Sequence, residues 1–330
     1  MVQVLTTFSR KGILVTGASG FVGGALLARL LREGDVHLRG VVRRAETGLP
    51  EGVEPVLVGG LAAGTDWGDA LKNVQAVVHA AARVHVMRDA SADALVEYRR
   101  VNVAGTLKLA SQAVEKGVRR FVFISSIKVN GEETPPGRPY TADDVPAPLD
   151  PYGVSKHEAE RALLQLADDT GLEVVIIRPV LVYGPGVRAN FLAMMRWLHR
   201  GIPLPLGATH NKRSLVALDN LVDLVVTCLH HLAAARQIFL VSDGEDLSTT
   251  ALLRRTARAL QKTARLLPVP PSMLRAAGRL LGQREVVQRL CGSLQVDITK
   301  TRDLLGWTPP VSVDDALAQT AQHFLASLPG

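Results

Sequence analysis

Short runs of β-branched and apolar residues alternate with longer segments of helical periodicity through the first half of this chain. Five runs predict strands, at 13–16, 38–42, 76–79, 121–124 and 174–177. Between them the three- and four-residue apolar spacing predicts helices at 21–33, 91–116 and 153–170, with a break of the second near Asn102. Alternating strands and helices predict an α/β fold, a doubly wound parallel sheet with helices on both faces.

The second half of the chain differs from the first in composition and in the length of its predicted elements. After Arg178-Pro179 come connections rich in proline and glycine, shorter helices and one further strand candidate at 238–241. A length of 330 residues suits two lobes. We expect a dinucleotide-binding domain at 1–178 and a smaller α/β C-terminal substrate lobe at 179–330, with segments near 215–242 returning to the first domain.

A glycine-rich turn joins the first predicted strand to the first helix. Gly17, Gly20 and Gly23 recur at three-residue spacing. Missing side chains there allow a tight turn and a close approach to a pyrophosphate, whose charge the helix N-terminus favours. With its flanking strand and helix, the turn predicts a Rossmann-type dinucleotide site, and its spacing is typical of short-chain dehydrogenases.

The residues after the second predicted strand bear on the choice of dinucleotide. An NAD-selective site commonly holds the ribose 2′-hydroxyl with an acidic residue at that place. This chain has Arg43-Arg44 instead. Because arginine forks onto phosphate, NADP is the favoured cofactor, while NAD stays open and the pair could also be ordinary surface arginines.

A candidate catalytic group follows from Tyr152 and Lys156, which lie four residues apart and therefore on one helix face. A nearby ammonium lowers the pKa of a phenol and suits it to proton transfer. Ser125-Ser126 follow the predicted strand 121–124, at the sheet edge where such folds bind ligands. We predict Ser126, Tyr152 and Lys156 as catalytic residues, with Ser125 as the alternative serine.

These motifs resemble the extended short-chain dehydrogenases, the NAD-dependent epimerase/dehydratase family, over nearly the whole chain. The resemblance rests on the following segments: the glycine turn, Val78-His79-Ala80-Ala81-Ala82, Asn102 in 101–106, the Ser126/Tyr152/Lys156 set, Arg178-Pro179 with 182–185, Arg213 in 213–220, 297–300 and 304–307.

The resemblance, together with the arginine pair, implies two sets of binding residues. The expected cofactor contacts are Gly17, Ser19, Gly20, Phe21, Val22, Gly23, Arg43, Arg44, Leu61, His79, Ala80, Ala81, Ala82, Asn102, Tyr152, Lys156 and Val180, where Asn102 is a cofactor-side residue or an active-site support. The expected substrate contacts are Arg83, Ser126, Asn190, Arg213 and Arg289. Arg213 would fork onto the diphosphate of a UDP-sugar, whereas Asn190 and Arg289 could also be ordinary surface or capping residues.

The residues after Ser126 narrow the range of reactions that the resemblance implies. Family members that dehydrate a 4-keto sugar carry an Asp-Glu pair there, and this chain has Ile127-Lys128. Hydride chemistry at C4 of a UDP-linked sugar therefore remains. The arginine pair and the stretches 82–87 and 178–191 favour a reductase of a UDP-4-keto-6-deoxy-N-acetylhexosamine, serving bacterial surface polysaccharide. A UDP-hexose or UDP-N-acetylhexosamine 4-epimerase with tightly bound NAD is the alternative, and a catalytically idle scaffold is a third.

Composition and residue spacing bear on nucleic-acid, metal and membrane binding. The net charge of +7 comes from scattered arginines, so we expect no nucleic-acid partner; the stripe Arg275 to Arg289 has the spacing of an amphipathic helix packed on its own protein. Cys228, Cys291 and the histidines lack metal-ligand spacing, so no metal is assigned. No run is long enough to cross a membrane. We expect a cytoplasmic protein without a membrane partner, and by resemblance a homodimer through the helices near Ser91 and Gly153.

Overall fold

A seven-stranded parallel sheet forms the centre of the computed structural model, which describes residues 12–34, 36–44, 47–84 and 94–328. Its strand order is β3-β2-β1-β4-β5-β6-β9. The strands are β1 (Gly12–Thr16), β2 (Leu38–Val42), β3 (Val53–Leu57), β4 (Val74–His79), β5 (Arg120–Ile124), β6 (Glu173–Pro179) and β9 (Gln237–Val241). All five strands predicted in the first half are confirmed, as is the doubly wound α/β class.

Helices cover both faces of this sheet, as its buried central strands β1, β4, β5 and β6 require. One apolar core lies beneath α1 and α6, and the other beneath α3 and α4. The helices are α1 (Phe21–Glu33), α2 (Ala94–Tyr98), α3 (Thr106–Glu115), α4 (Pro151–Thr170), α5 (Ala189–His199), α6 (Leu218–His230), α7 (Thr249–Ala259), α8 (Pro271–Leu280), α9 (Arg284–Cys291), α10 (Thr299–Leu305) and α11 (Val313–Ala326).

A smaller sheet organises the second half of the chain. Its strands β7 (Leu181–Tyr183), β8 (Arg213–Ala217) and β10 (Asp246–Leu247) lie in the order β10-β8-β7. A third core joins this sheet to α5, α7 and α11. The strand predicted at 238–241 is confirmed as β9, which pairs parallel to β6, and α6 packs in the core of the large sheet. A boundary after Arg178, with a returning segment, stays our proposal.

Two helix predictions differ from the structure. The predicted break near Asn102 is a π-helical segment, Arg99–Gly105, which connects α2 to α3 without interrupting the helical path. The stripe from Arg275 to Arg289 is not one helix packed on its own protein. It is the pair α8 and α9, and Leu280 and Leu281 at their junction are exposed. Periodicity showed the amphipathic pattern but not which face the rest of the chain would cover.

Membrane-spanning helices and metal-binding clusters are both absent from the described residues, 12–34, 36–44, 47–84 and 94–328. No helix in these ranges is long and apolar enough to cross a bilayer. The same ranges hold no group of three histidine, cysteine or acidic residues placed to bind a metal ion. Both cysteines are buried thiols, as their apolar surroundings predicted.

Candidate active site

The glycine turn between β1 and α1 is held by very close backbone packing. Gly17 has a φ of 70°, and a Cβ on it would lie 2.9 Å from the backbone nitrogen of Ala81. A Cβ on Gly23 would lie 2.2 Å from the carbonyl oxygen of Gly17. In the described chain no side chain caps α1, whose N-cap is Gly20. The first-turn N–H groups therefore suit an anion, and the turn fits a dinucleotide pyrophosphate.

A groove of about 370 Å³ opens beside this turn. It starts at Ser19 and Gly20 and follows α1 along Phe21, opposite Pro185 and Asp219. Val22 is partly buried and packs against the core beneath α1. The groove is not lined by Ser126, Tyr152 or Lys156, the candidate catalytic residues.

The arginine pair lies where its sequence position indicated. β2 ends at Val42, and Arg43 and Arg44 follow it directly as exposed residues. β2 is the neighbour of β1, so the pair lies at the carboxyl edge next to the glycine turn. Leu61 is partly buried further along the chain and packs on the core beneath α3. This geometry leaves the guanidinium groups accessible to a ribose phosphate.

His79 corrects one expectation. Its ring is fully buried, with Nδ1 2.6 Å from Thr16 Oγ1 and Nε2 2.9 Å from Thr106 Oγ1. Burial, and secondly the Lys156 charge, lowers the pKa of His79 to about 3, so the ring is neutral. The ring braces the inside of the sheet and does not line a ligand surface. The partly exposed alanines Ala80, Ala81 and Ala82 are the residues of this segment that face outward.

Asn102 supports the site from within the π-helical segment. Its amide accepts from the backbone nitrogen of Arg83 at 2.8 Å and donates to the Arg83 carbonyl at 3.1 Å. It also donates to Ser155 Oγ at 3.0 Å. The side chain is 2% exposed, and these three bonds all lie within the protein. Of the two roles expected for Asn102, the structure therefore favours the support, which ties the 80–84 segment to α4; π-helical turns often serve functional sites in this way.

The candidate catalytic residues meet at the carboxyl end of β5. Asp150 caps α4 by accepting from the Gly153 N–H at 2.7 Å, and this fixes the first turn that carries Tyr152. The Ser126 side chain lies near the Tyr152 phenol and lowers its pKa. Ser126 also accepts from the Lys128 N–H at 3.2 Å, which orients its hydroxyl. The structure thus brings Ser126 and Tyr152 together at the carboxyl end of β5.

Burial controls the protonation of this pair of titratable groups. It raises the pKa of Tyr152 above its ordinary value; the Asp150 charge and Tyr98 raise it further, while the Ser126 side chain lowers it. Burial lowers the pKa of Lys156 to about 7, against the opposing charge of Glu160. Lys156 Nζ donates to the Ile124 carbonyl at 2.7 Å. Near neutral pH the Tyr152 phenol is therefore protonated, and Lys156 is divided about evenly between its charged and neutral forms. Tyr152 needs additional positive charge nearby to become a base.

A buried ion pair beneath Lys156 was not predicted. Glu160 accepts from Arg178 Nη2 at 2.6 Å, and each side chain is 2% exposed. Ser125 Oγ donates to Glu160 Oε1 at 2.5 Å, so Ser125 points into this network and Ser126 is the serine that faces Tyr152. The four-residue repeat Tyr152, Lys156, Glu160 was visible in the sequence and could have indicated a third residue on that face.

Two of the predicted substrate residues, Arg213 and Arg289, lie beside one another in the second half of the chain. Arg213, at the start of β8, donates to the carbonyls of Arg289 at 3.0 Å and Gly292 at 3.2 Å. Burial lowers the pKa of Arg213, against the opposing charge of Glu133. Arg213 and the end of α9 are therefore joined through the Arg289 backbone, whereas the half-exposed Arg289 side chain bonds to Glu285.

The remaining predicted contacts differ in exposure. Asn190 is exposed in the first turn of α5. Arg83 is partly buried, with its guanidinium 5.7 Å from the centre of the Tyr98 ring, and Tyr98 in turn meets Tyr152 edge-on at 6.1 Å. Val180 is 4% exposed between β6 and β7. Arg83 is thus linked to Tyr152 through the ring of Tyr98.

Comparison with known proteins identifies the family. The model of the NAD dependent epimerase/dehydratase family matches residues 13–242. A Vibrio cholerae protein named UDP-glucose 4-epimerase is 52% identical over 316 residues, which are 96% of each chain. The chain belongs to the NAD dependent epimerase/dehydratase family. The resemblance inferred from the motifs is thereby confirmed.

Two further proteins illustrate the range of the family. An Escherichia coli O157:H7 protein named N-acetyl-alpha-D-glucosaminyl-diphospho-ditrans,octacis-undecaprenol 4-epimerase is 27% identical, with 94% of each chain covered. The solved structure of MoeE5 in complex with UDP-glucose and NAD is 28% identical, with a TM-score of 0.74 over 96% of this chain and 100% of that one. The family thus includes proteins with differing named activities, and the choice among them for this chain needs its own residues.

Proposed function

We propose that this protein is a UDP-hexose 4-epimerase with tightly bound NAD. The observation that carries the proposal is the 2.7 Å bond from Lys156 Nζ to the Ile124 carbonyl, which brings the start of α4, with Tyr152 one turn earlier, to the end of β5 where Ser126 follows. The 52% identity to the Vibrio cholerae UDP-glucose 4-epimerase supports an epimerase over the reductase favoured by the sequence. The choice between a UDP-hexose and a UDP-N-acetylhexosamine stays with experiment.

The residues of this site fit a dinucleotide. The turn from Gly17 to Gly23 and the uncapped α1 would hold the pyrophosphate, and the 80–82 segment would lie beside the riboses. When bound, the nicotinamide supplies a reversible acceptor and donor of hydride. Lys156 would hold the ribose next to that ring and add the positive charge that favours the Tyr152 phenolate.

The chain's own residues then perform the acid–base work. Tyr152 would take the proton of the C4 hydroxyl as the sugar is oxidised, and would return it to the C4 oxygen when the turned keto sugar is reduced by hydride at the opposite face of C4. Ser126 would hold the C4 oxygen during both transfers. Arg213 would keep the diphosphate bound while the sugar turns, which lets one base serve both faces.

The residues after Ser126 argue against dehydration. Ile127 is buried, and the Lys128 ammonium is bonded to Asp150 and, at 3.2 Å, to Glu132. Neither offers the acid and base that removal of water across C5 and C6 needs. The proposal therefore stays with hydride chemistry at C4.

A 4-keto reductase using NADPH is the second candidate, and one observation favours it. Arg43 and Arg44 are exposed directly after β2, where they could bind a 2′-phosphate. The substrate would be a UDP-4-keto-6-deoxy-N-acetylhexosamine for surface polysaccharide, as the sequence suggested. A homodimer through the helices near Ser91 and Gly153, the second of which is α4, is a further part of the proposal.

One experiment separates the two candidates. The purified protein is incubated with UDP-glucose and no added cofactor, and the products are separated by anion exchange; in parallel, denatured protein is analysed for released NAD or NADP. We expect UDP-galactose and released NAD. Oxidation of added NADPH by the 4-keto sugar, without epimer formation, would replace the epimerase by the reductase.

The Tyr152→Phe variant tests the assigned chemistry. It removes the proton-transfer group while keeping the ring beside Tyr98, so we expect at least about a hundredfold loss of turnover with the melting temperature preserved. Turnover equal to wild type in both assays would show that the catalytic set is misassigned, and no turnover of any substrate by the folded wild type would favour an idle scaffold.

A further inference from the structure

Helices α8 and α9 form a tightly closed hairpin. The Gln283 N–H donates to the Gly278 carbonyl at 2.7 Å, and a Cβ on Gly278 would lie 2.6 Å from Val287 Cγ2. The two helices therefore pack at close range, with Leu280 and Leu281 held at the tip.

The outer surface of this hairpin is apolar. Leu280 is 88% exposed, Leu281 74% and Met273 62%. Met273, Ala276 and Leu280 follow the i, i+3, i+7 spacing of one helix face, and all three are exposed. Leu274 and Gly278, on the opposite face, point toward α9 and the body of the protein. Isolated exposed leucines need no explanation, but a continuous stripe ending in two protruding leucines indicates an interaction surface.

Positive charge flanks this stripe. Between Arg265 and Arg289 the chain has five arginines and a single acidic residue, Glu285. Arg275 and Arg279 lie four residues apart, on the flank of α8 beside the apolar stripe, and both are exposed. A surface with protruding leucines bordered by arginines is typical of helices that lie at the boundary of a membrane with acidic headgroups.

An apolar groove runs from the hairpin to α5. It has a volume of about 210 Å³ and lies between α8–α9 and α5, with Trp197, Leu274 and Leu290 among its walls. Trp197 is itself 48% exposed at the rim. Tryptophan favours the headgroup region of a bilayer, so the groove extends the same surface from the hairpin to α5.

We propose that the α8–α9 hairpin attaches the protein to an anionic membrane surface. Leu280 and Leu281 enter the boundary between headgroups and acyl chains, and Arg275 and Arg279 contact lipid phosphates. A second copy of this chain is a poorer occupant, because a two-fold interface would place the arginine-rich flanks of both copies against each other. The proposal departs from our expectation of no membrane partner, which rested on the lack of a spanning segment.

The test is flotation of the full-length protein with vesicles of phosphatidylcholine alone or of an equal mixture with phosphatidylglycerol. We expect the wild type to float with the mixed vesicles only, and to be released by high salt. Leu280→Ser with Leu281→Ser, and separately Arg275→Glu with Arg279→Glu, should each reduce the bound fraction at least about tenfold. The matched control is Leu57→Ser with Val145→Ser, which removes two side chains exposed by 62% and 86% elsewhere.

Melting temperature and C4 activity on a water-soluble substrate confirm that each variant is folded. Binding that survives both hairpin variants, or equal loss in the Leu57/Val145 control, would overturn the assignment to this surface. Wild-type protein that does not float with mixed vesicles overturns the membrane as occupant. If Leu280→Ser with Leu281→Ser then converts a dimer to a monomer, the surface is a contact between copies instead.

Discussion

Two neighbouring glycines in α1 allow a sharp test of the phosphate turn. A Cβ on Gly23 would lie 2.2 Å from the Gly17 carbonyl oxygen, whereas real Cβ contacts essentially never fall under 3.0 Å. The turn would have to retreat by about 0.8 Å. A Cβ on Gly24 meets only the Ala18 carbonyl oxygen, at an ordinary 3.5 Å. Gly23→Ala therefore displaces the turn and Gly24→Ala does not.

The magnitudes follow from this geometry. Each substitution gains roughly 0.5–1 kcal/mol because alanine suits a helix interior better than glycine. Gly23→Ala also incurs the overpacking cost of about 1–3 kcal/mol, so its free energy of unfolding should fall by about 1 kcal/mol. The displaced turn should lose at least one hydrogen bond to a phosphate, worth about 1.5–3 kcal/mol and thus roughly ten- to hundredfold in dinucleotide affinity.

The assay combines thermal unfolding with the dinucleotide content of the purified protein and calorimetric titration of NAD and NADP. We expect Gly23→Ala to lose bound dinucleotide and Gly24→Ala to keep it with a slightly higher melting temperature. A Gly23→Ala protein that binds dinucleotide as well as Gly24→Ala would refute the turn as the pyrophosphate site.

Three other outcomes can be measured. Glu160→Gln leaves the buried Arg178 charge uncompensated and should lower the free energy of unfolding by about 3–5 kcal/mol in urea titrations; a change under about 0.5 kcal/mol would mean the pair is not buried. Asn102→Ala removes the bonds to the Arg83 backbone, so the Arg83 amide should exchange hydrogen faster, by at least about tenfold, with amides of β1 unchanged as the reference. His79 is neutral in the fold and its pKa is lowered, so its contribution to stability is complete above pH 6.5 and is lost as pH falls toward about 3. The free energy of unfolding from urea titrations should therefore drop by up to about 1.4 kcal/mol per pH unit from this group, and a value that is flat from pH 6.5 to 4 would contradict a buried neutral His79.

Much of the fold and the central part of the candidate site could be predicted from local signals. The strand at 38–42 and the helix at 21–33 have the bounds that periodicity gave. Tyr152 and Lys156 share a helix face because four residues make about one turn, and this holds wherever the helix packs. Ser126 was found because parallel strands end at a common sheet edge, a property of the fold class.

The sequence by itself therefore determined the α/β class, the glycine turn and the catalytic spacing, because each depends on short-range periodicity. Tertiary structure alone decided that the His79 ring is internal, that Glu160 pairs with Arg178 and that Leu280 stays uncovered. These outcomes depend on which distant segments pack together. Burial, and with it the pKa of a side chain and the use of its hydrogen bonds, is set by contacts between residues far apart in the chain.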